Sequence, residues 1–359
     1  MRALATIRII DSINPIENAD AIDVAAIGGW NVVVKKGDFK VGDLVVYFEI
    51  DSWIPTELAP FLSKGKEPRE FEGVKGERLR TVKLRGQVSQ GLILPINGIN
   101  TPVEWDGLLV SFDNIAWTED ADVTEVLNVK KYEKPVNAQL AGIARGNFPS
   151  FIRKTDQERV QNLKRDLAEW AGNITLQFEV TEKADGSSCT IYRNDRLIED
   201  EKDPIGVCSR NLDLKETEGN TFWSVARADG IIDVLERFGH NIAIQGEVVG
   251  PGIQGNQYKL SKPTFLVFDI FDIDTQTYYN AVERQEFCEA FNLRHVPVID
   301  IHVLLLGATV ESLLTLAEGE SKLNESGQST REGLVFKCLN DPSISFKAIS
   351  NKWLLKYEE

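Results

Sequence analysis

The strongest constraint on this chain is a repeated pairing of one charged residue with an apolar, strand-forming run. It first occurs at Val180-Thr181-Glu182-Lys183-Ala184-Asp185-Gly186-Ser187-Ser188, where a lysine ends a strand-like run and Asp then Gly follow. It recurs, in order, at Cys208-Ser209-Arg210-Asn211, Gln245-Gly246-Glu247-Val248-Val249-Gly250, Leu266-Val267-Phe268-Asp269-Ile270-Phe271, Arg331-Glu332-Gly333-Leu334-Val335-Phe336-Lys337 and Ser345-Phe346-Lys347-Ala348. Successive side chains of a strand point to opposite faces. Such runs can line one face of a sheet with charged tips set in a cleft. A lysine there is a nucleophile only when deprotonated, and its ordinary pKa is about 10.4. Burial, or cationic or metal neighbours, must bring it into range near pH 7.

Strands and helices intersperse around these stretches. Residues 174–180 and 188–192 read as a hairpin around the lysine, and further strands are expected at 242–249, 264–273, 332–339 and 343–349. Helices are expected near 221–238 and 283–292 and from Thr309. Thr155 with Glu158 reads as a capping box for a helix through Val160, Leu163, Leu167 and Trp170, stopped by Gly172. Gly250 to Gly255 lacks the strand–glycines–helix context of a phosphate loop and reads as a turn, and Asp272 and Asp274 read as turn acids. Residues 318–330 form a polar loop. Many strand pairs look antiparallel, so the fold class of this half is α+β.

Residues 1–135 read as all-β, with strand-like runs at 4–10, 21–35 (broken at Gly28-Gly29), 43–50, 79–95 and 108–112. Five strands over this length fit a small oligonucleotide-binding (OB) type barrel with 53–78 as a long loop, and fit an SH3-like barrel nearly as well. The segment 113–150, with Pro135, Gly142, Gly146 and Pro149, reads as a linker, which divides the chain into domains at 1–135 and 136–359.

The chain has 359 residues, 42% apolar and 26% charged, the make-up of a soluble globular protein. No run approaches the ~18–20 apolar residues of a membrane span, and no signal-peptide pattern opens the chain. A cytoplasmic, soluble protein is expected. Cys189, Cys208, Cys288 and Cys338 are widely spaced and read as buried reduced thiols, while His240, His295 and His302 form no zinc-type cluster. The net charge of −15 argues against nonspecific nucleic-acid binding. Locally the balance reverses: residues 64–85 hold eight Lys/Arg against four Glu, and 145–165 hold six against two acids. Such patches could hold a nucleic-acid strand or be solvated faces.

The ordered set of charged stretches resembles the covalent nucleotidyltransferase family of polynucleotide ligases and RNA-capping enzymes. Lys183 to Gly186 resemble its motif I, Arg210 motif Ia, Glu247 motif III, Phe268-Asp269 motif IIIa, Glu332-Gly333 motif IV and Lys347 motif V. The run from Phe148 to Asn162 is similar to the segment that precedes motif I in RNA ligases. A β-barrel ahead of motif I, with only twelve residues after Lys347, resembles the nick-sealing subgroup of ATP-dependent RNA ligases. The resemblance implies an OB-like barrel followed by an ATP-grasp-like nucleotidyltransferase domain.

It also implies the chemistry. Lys183 would attack the α-phosphate of ATP. Asp185, Glu247 and Glu332 would hold Mg²⁺ or Mn²⁺ through its waters, and Lys347 would contact the α-phosphate. Arg210 and Glu247 would bind the ribose hydroxyls and Phe268 would stack on adenine, with Arg159, Glu182 and Lys337 among the nucleotide contacts. AMP would pass to a 5′-phosphate, and a 3′-OH would seal the nick or broken RNA strand. The family's motif V usually offers two lysines one residue apart. Here Ser345 and Phe346 precede Lys347, so the second role is open, with Lys337 and Lys352 as its candidates. The competing readings are a DNA ligase or capping guanylyltransferase, and a non-catalytic RNA-binding OB protein.

Overall fold

The structure is a computed structural model that describes residues 3–96, 103–105, 108–110, 118–133, 142–200, 202–324 and 329–357. It divides into one unit of Met1–Pro135 with Leu354–Glu359 and a second of Val136–Trp353. Part of the expected 113–150 linker, residues 111–112 of the last expected strand and residues 325–328 of the polar loop lie outside the described residues.

The first unit is built from short antiparallel strands. These are β1 (Ala5–Ile9), β2 (Ser12–Pro15), β3 (Ile22–Ile27), β4 (Trp30–Lys35), β5 (Leu44–Phe48), β6 (Ser52–Pro55), β7 (Arg69–Phe71), β8 (Val74–Arg78), β9 (Val82–Leu84), β10 (Gln87–Ser89), β11 (Leu92–Pro95), β12 (Val103–Trp105), β13 (Leu108–Val110) and β14 (Lys130–Lys131). They pair in the orders β1-β5-β11, β2-β3-β4, β14-β6-β8-β7, β9-β10 and β12-β13. Ala5, Ile7, Val46, Phe48, Ile54 and Leu127 are buried together at the centre. The expected run 21–35 is the hairpin β3–β4, turned at Gly28 (φ 58°). Two expectations change here. The long loop at 53–78 is instead most of a four-stranded sheet, because Trp53, Phe71 and Tyr132 form an aromatic cluster that gives the insertion a core of its own. The run 79–95 is not one strand but the hairpin β9–β10 followed by β11.

The second unit has two sheets. Its strands are β15 (Ala144–Asn147), β16 (Glu158–Arg159), β17 (Phe178–Lys183), β18 (Ser187–Arg193), β19 (Ile205–Ser209), β20 (Leu212–Leu214), β21 (Ile242–Val249), β22 (Thr264–Asp272), β23 (Thr277–Tyr278), β24 (Val298–Val303), β25 (Gly333–Cys338) and β26 (Ser345–Ile349). The seven-stranded sheet runs β15-β20-β19-β18-β21-β22-β23 and the five-stranded sheet runs β16-β26-β25-β17-β24. All pairs are antiparallel except β16 with β26. Helices Thr221–Ala228, Ile231–Phe238 and Ala281–Ala290 bury Trp223, Val225, Ile232, Leu235 and Phe287 against one face of the larger sheet. The smaller sheet packs Phe178, Phe336 and Phe346 with Val310 and Leu313 of helix Val310–Ala317. The Phe336 and Phe346 rings stack with centroids 4.8 Å apart. Each such buried ring contributes about 1.5–3 kcal/mol.

Three local expectations change. β17 and β18 do not form a hairpin: β17 pairs with β24 and β25, and β18 with β19 and β21, so residues 184–186 carry the chain from one sheet to the other. The expected helix at 221–238 is two helices, broken where Gly230 takes φ 74°. The capping box at Thr155 is absent. Glu158 and Arg159 are drawn into parallel pairing with Phe346 and Lys347, and the helix begins only at Lys164 after a short 3-10 turn. The Glu158 carboxylate instead accepts from the Arg159 N–H at 2.8 Å and Asn162 Nδ2 at 2.9 Å.

Candidate active site

Strand alternation decides what the five-stranded sheet presents. Phe178 and Val180 of β17 are buried in the core with Leu334, Phe336, Phe346 and Ala348. Glu179, Thr181 and Lys183 therefore take the opposite face. Cross-strand pairing extends that face: Glu179 stands opposite Lys337, Lys183 opposite Gly333, Val335 opposite Lys347, and Lys347 beside Arg159. Residues distant in sequence thus share one face. Gly333 is required by the close approach of β26, since a Cβ there would lie 2.2 Å from the Ala348 carbonyl oxygen.

The other sheet contributes the facing groups. At the crossover, a Cβ on Gly186 would lie 2.3 Å from the Val248 carbonyl oxygen and 2.9 Å from Glu247 Cγ, so only glycine lets the chain turn this close to β21. Glu247 stands opposite Ser188. The pairing of β21 with β22 slips where Gln245 faces Asp269 and Gly246 faces Val267, leaving Phe268 as the extra residue of a β-bulge. Bulges re-aim side chains. Here the half-buried Phe268 ring meets the cluster of Ala184, Val249, Tyr258 and Leu266, directly beside Lys183 in the chain. Phe271 is wholly buried in a separate core.

The electrostatics centre on Lys183. Its Nζ donates to both oxygens of Glu332, at 2.6 and 2.7 Å. Burial favours the neutral amine, but Glu332, then Glu247 and Asp185, outweigh it and hold the Lys183 pKa above its ordinary value. Burial, with Glu332 and Asp185 adding repulsion, pushes Glu247 up to about 8 although Lys183 opposes the shift. The Asp185 carboxylate accepts from Gln257 Nε2, and its backbone N–H donates to the Tyr258 hydroxyl at 2.7 Å. One ammonium thus stands among three acidic side chains, of which Glu247 is held partly protonated by burial and the excess of negative charge. That surplus of negative charge fits a hydrated divalent cation. Among the described residues no group of three or more His, Cys, Asp or Glu is placed to ligate a metal directly.

Asp156, which sequence reading passed over within its upstream segment, links two cations expected to contact the nucleotide, Lys347 on its α-phosphate and Arg210 on its ribose. Its Oδ1 accepts from Lys347 Nζ at 3.1 Å, and its Oδ2 lies 3.7 Å from Arg210 Nη2. The sequence signal was present in Lys154-Thr155-Asp156, an acid in a basic stretch.

Other expected residues stand elsewhere. Lys337 is committed to Asp269 at 2.5 Å and to the Phe268 carbonyl at 2.8 Å, and burial lowers its pKa. Lys352 pairs with Glu318 at 2.6 Å. Neither therefore offers its amine beside Lys347 as a second motif V lysine. The Glu182 carboxylate is buried and accepts from the Ser321 hydroxyl and, at 2.7 Å, from the Lys322 N–H, anchoring that loop rather than facing Lys183. Arg159 is buried at its sheet position. Behind Phe268, Lys337 belongs to a network that sequence reading missed. Arg284 donates to Glu179 and, at 2.9 Å, to His295 Nε2, and lies 3.8 Å from Asp269. An arginine in helical register with buried Ala281 and Cys288 was its signal.

Comparisons with known proteins agree with this arrangement. An OB-fold domain model matches residues 4–96, and an RNA ligase model matches residues 176–353. A search among curated proteins finds no match. Among solved structures, a Naegleria gruberi RNA ligase mutant with AMP and Mn superposes with a TM-score of 0.85 at 45% identity, covering 98% of each chain. Another mutant of that ligase, with ATP and Mn, gives a TM-score of 0.84 at 45% identity over 98% of each chain. The same ligase with PPi gives 0.85 at 45% identity, covering 100% of this chain and 99% of that one. With identity of this order over essentially its whole length, the chain belongs to the RNA ligase family.

Proposed function

We propose that this protein is an ATP-dependent RNA ligase that joins a 3′-OH to a 5′-phosphate at nicks or breaks in RNA. The observation that carries the reading is Lys183 at the end of β17, gripped by Glu332 at 2.6 Å with Glu247 and Asp185 around it. Solved structures of the Naegleria gruberi ligase with AMP and Mn, with ATP and Mn, and with PPi support the choice of nucleotide and metal.

In the first step Lys183 Nζ forms a bond to the α-phosphorus of ATP, the bond to the bridging oxygen of the β-phosphate breaks, and pyrophosphate leaves. Lys183 is an ammonium without nucleotide, so it must first lose a proton. Glu332 is the nearest acceptor, at 2.6 Å. A divalent cation held through its waters by Asp185, Glu247 and Glu332 would offset their charge and that of the phosphates, favouring the neutral amine. Lys347 and Arg210 neutralise the nucleotide on its phosphate and ribose side once they exchange Asp156 for it. Phe268 stacks on adenine from its bulge, with Ala184 packed against the same cluster. Charge neutralisation and in-line placement supply most of the rate in such transfers. In the second step the 5′-phosphate of RNA takes AMP from Lys183. In the third, the 3′-OH attacks that phosphate, a phosphodiester forms and AMP leaves.

Incubation with α-labelled ATP or GTP and Mg²⁺ or Mn²⁺, followed by a denaturing gel, tests this. Label from ATP that is lost in Lys183→Ala, and lost on chelation with EDTA, is the expected result. Label from GTP would instead indicate a capping enzyme, and no label from either would sink the covalent mechanism. Nicked duplexes with RNA or DNA at the 3′-OH then decide which strand is sealed.

A further inference from the structure

The hairpin β9–β10 combines an anchored root with an exposed first strand and turn. Its root is pinned: Ser89 Oγ accepts from the Val33 N–H at 2.9 Å, the Gln90 N–H donates to the Asn31 carbonyl at 2.8 Å, and the Tyr47 hydroxyl donates to the Gln90 carbonyl at 3.2 Å. Ser89 and Gln90 are buried. Beyond that root β9 and the turn are bare, while Gln87 and Val88 of β10 are half-buried. Val82, Lys83, Leu84, Arg85 and Gly86 are all exposed. A strand packed on a barrel alternates buried and exposed positions, and β9 does not, with Val82 and Leu84 each 43% exposed on the face that should be covered. Leu84 pairs with Gln87, so Arg85-Gly86 is a two-residue loop, with both residues left-handed at φ 49° and 88°. This is the geometry of a type I′ turn, which holds the two arms tightly together. The result is a short, stiff finger with an anchored base.

Its charge is as unusual as its exposure. In a chain with 55 Asp and Glu, none occurs from residue 78 to residue 103. Arg78, at the foot of this run, is neutralised by Asp51 at 2.5 Å. Lys83 and Arg85 have no acidic partner among the described residues. A protein of net charge −15 repels a polyanion over most of its surface. It needs local cationic elements to hold one.

We propose that the β9–β10 hairpin is an RNA-binding finger, with Lys83 and Arg85 on backbone phosphates and the opposite, apolar face of Val82 and Leu84 against a ribose or base. This rests on the reading of the chain as an RNA ligase and adds where the first unit holds the substrate. Two cations without an acidic partner among the described residues match the phosphates of a polyanion, and the exposed Val82 and Leu84 offer apolar surface to its sugars or bases, which an acidic protein partner would leave without a counterpart.

The test uses the full chain, as wild type, K83A/R85A and K83R/R85K. Anisotropy with a labelled nicked RNA duplex, titrated from 50 to 200 mM KCl, gives affinity and its salt slope. Labelling of Lys183 from α-labelled ATP is measured in parallel. In K83A/R85A, RNA binding is expected to weaken by on the order of tenfold or more at 0.1 M salt, and the slope to fall by about 2, one unit per lost phosphate contact. K83R/R85K restores both, and Lys183 labelling stays within about twofold of wild type in every variant. Unchanged RNA affinity and slope overturn the proposal, as does weaker binding at an unchanged slope. Parallel loss of Lys183 labelling also overturns it, because the hairpin would then serve the nucleotide step or the fold. Binding of a poly-glutamate peptide in place of RNA overturns it in favour of an acidic partner. If wild type takes no label from ATP, the ligase reading fails, and the salt slope still decides the finger.

Discussion

Lys183 and Arg284 both sit among carboxylates in the second unit, yet their surroundings differ in sign balance and in access to water. Around Arg284 the charges cancel: Glu179 and Asp269 stand against Arg284 and Lys337, and the Arg284 and Glu179 side chains are 2% and 0% exposed. Burial pushes the Glu179 carboxyl up, and Arg284 beside it nevertheless holds it below the usual range. Around Lys183 three acids face one ammonium, and the lysine side chain is 29% exposed. Both clusters lie on the same face of β17, at Glu179 and Lys183, two periods of the strand alternation apart with Thr181 between them. The balanced, dry cluster ties β17 and β25 to β22 and the helix Ala281–Ala290. The unbalanced, half-open one has charge left over, and leftover charge at low water content is what a binding site needs and a scaffold avoids.

The sharpest way to break this contrast is to remove each central cation. Lys183→Ala should cut adenylylation by at least ~10³-fold, while its urea midpoint falls less than that of the Arg284 variant, because solvent reaches the acids left behind and relieves part of their repulsion. Arg284→Met should do the reverse: it strands Glu179 and is expected to cost about 3–5 kcal/mol in urea unfolding, with the folded fraction still able to take label. Equal stability losses in the two variants would erase the distinction.

A pH series sharpens it further. His295 accepts from Arg284 through Nε2, so its proton is on Nδ1, facing the Val296 carbonyl at 2.6 Å. Burial, then Arg284, lowers its pKa to about 4. The unfolded chain binds this proton as pH falls through about 6.5, and the folded chain only near 4. The contribution is present above pH 6.5 and is lost on descending to 4, by at most roughly 3 kcal/mol. His295→Gln should flatten the stability profile across that window, and a profile identical to wild type would remove His295 from the network. The smallest effect is expected at Asp156, which is partly exposed. Asp156→Asn should change stability by under about 1 kcal/mol and lower the KM for ATP a few-fold by releasing Lys347 and Arg210, as measured by initial rates of labelling.

The sequence carried much of this in its periodicities. The runs 242–249 and 264–273 became β21 and β22 nearly residue for residue, because continuous β-branched and aromatic stretches have few other solutions. Partners were the harder part. Nothing local says that β17 and β18 belong to different sheets. The short link between them suits a hairpin, and only the pairing of β17 with β25 and of β18 with β21, strands far along the chain, shows otherwise. Likewise Thr155 and Glu158 have the letters of a capping box, and pairing with residues near the C-terminus overrides them. For the site, the acids and lysines could be read in order, but not that Lys337 turns to Asp269 and Glu182 to Ser321. Those choices depend on a neighbour far along the chain.

The bulge at Phe268 has a consequence for how such a chain can diverge. Because β22 carries one residue more than β21 can pair, the ring's position is set by arithmetic as much as by chemistry. Exchanging Phe268 for another flat ring keeps the platform in place. Deleting any single residue between Leu266 and Ile270 removes the surplus: Ile270 keeps its place opposite Ile244, but the strand no longer has an unpaired position from which to aim a ring. Length, more than composition, is the conserved quantity to look for in this strand: related sequences should tolerate substitutions here and refuse insertions and deletions.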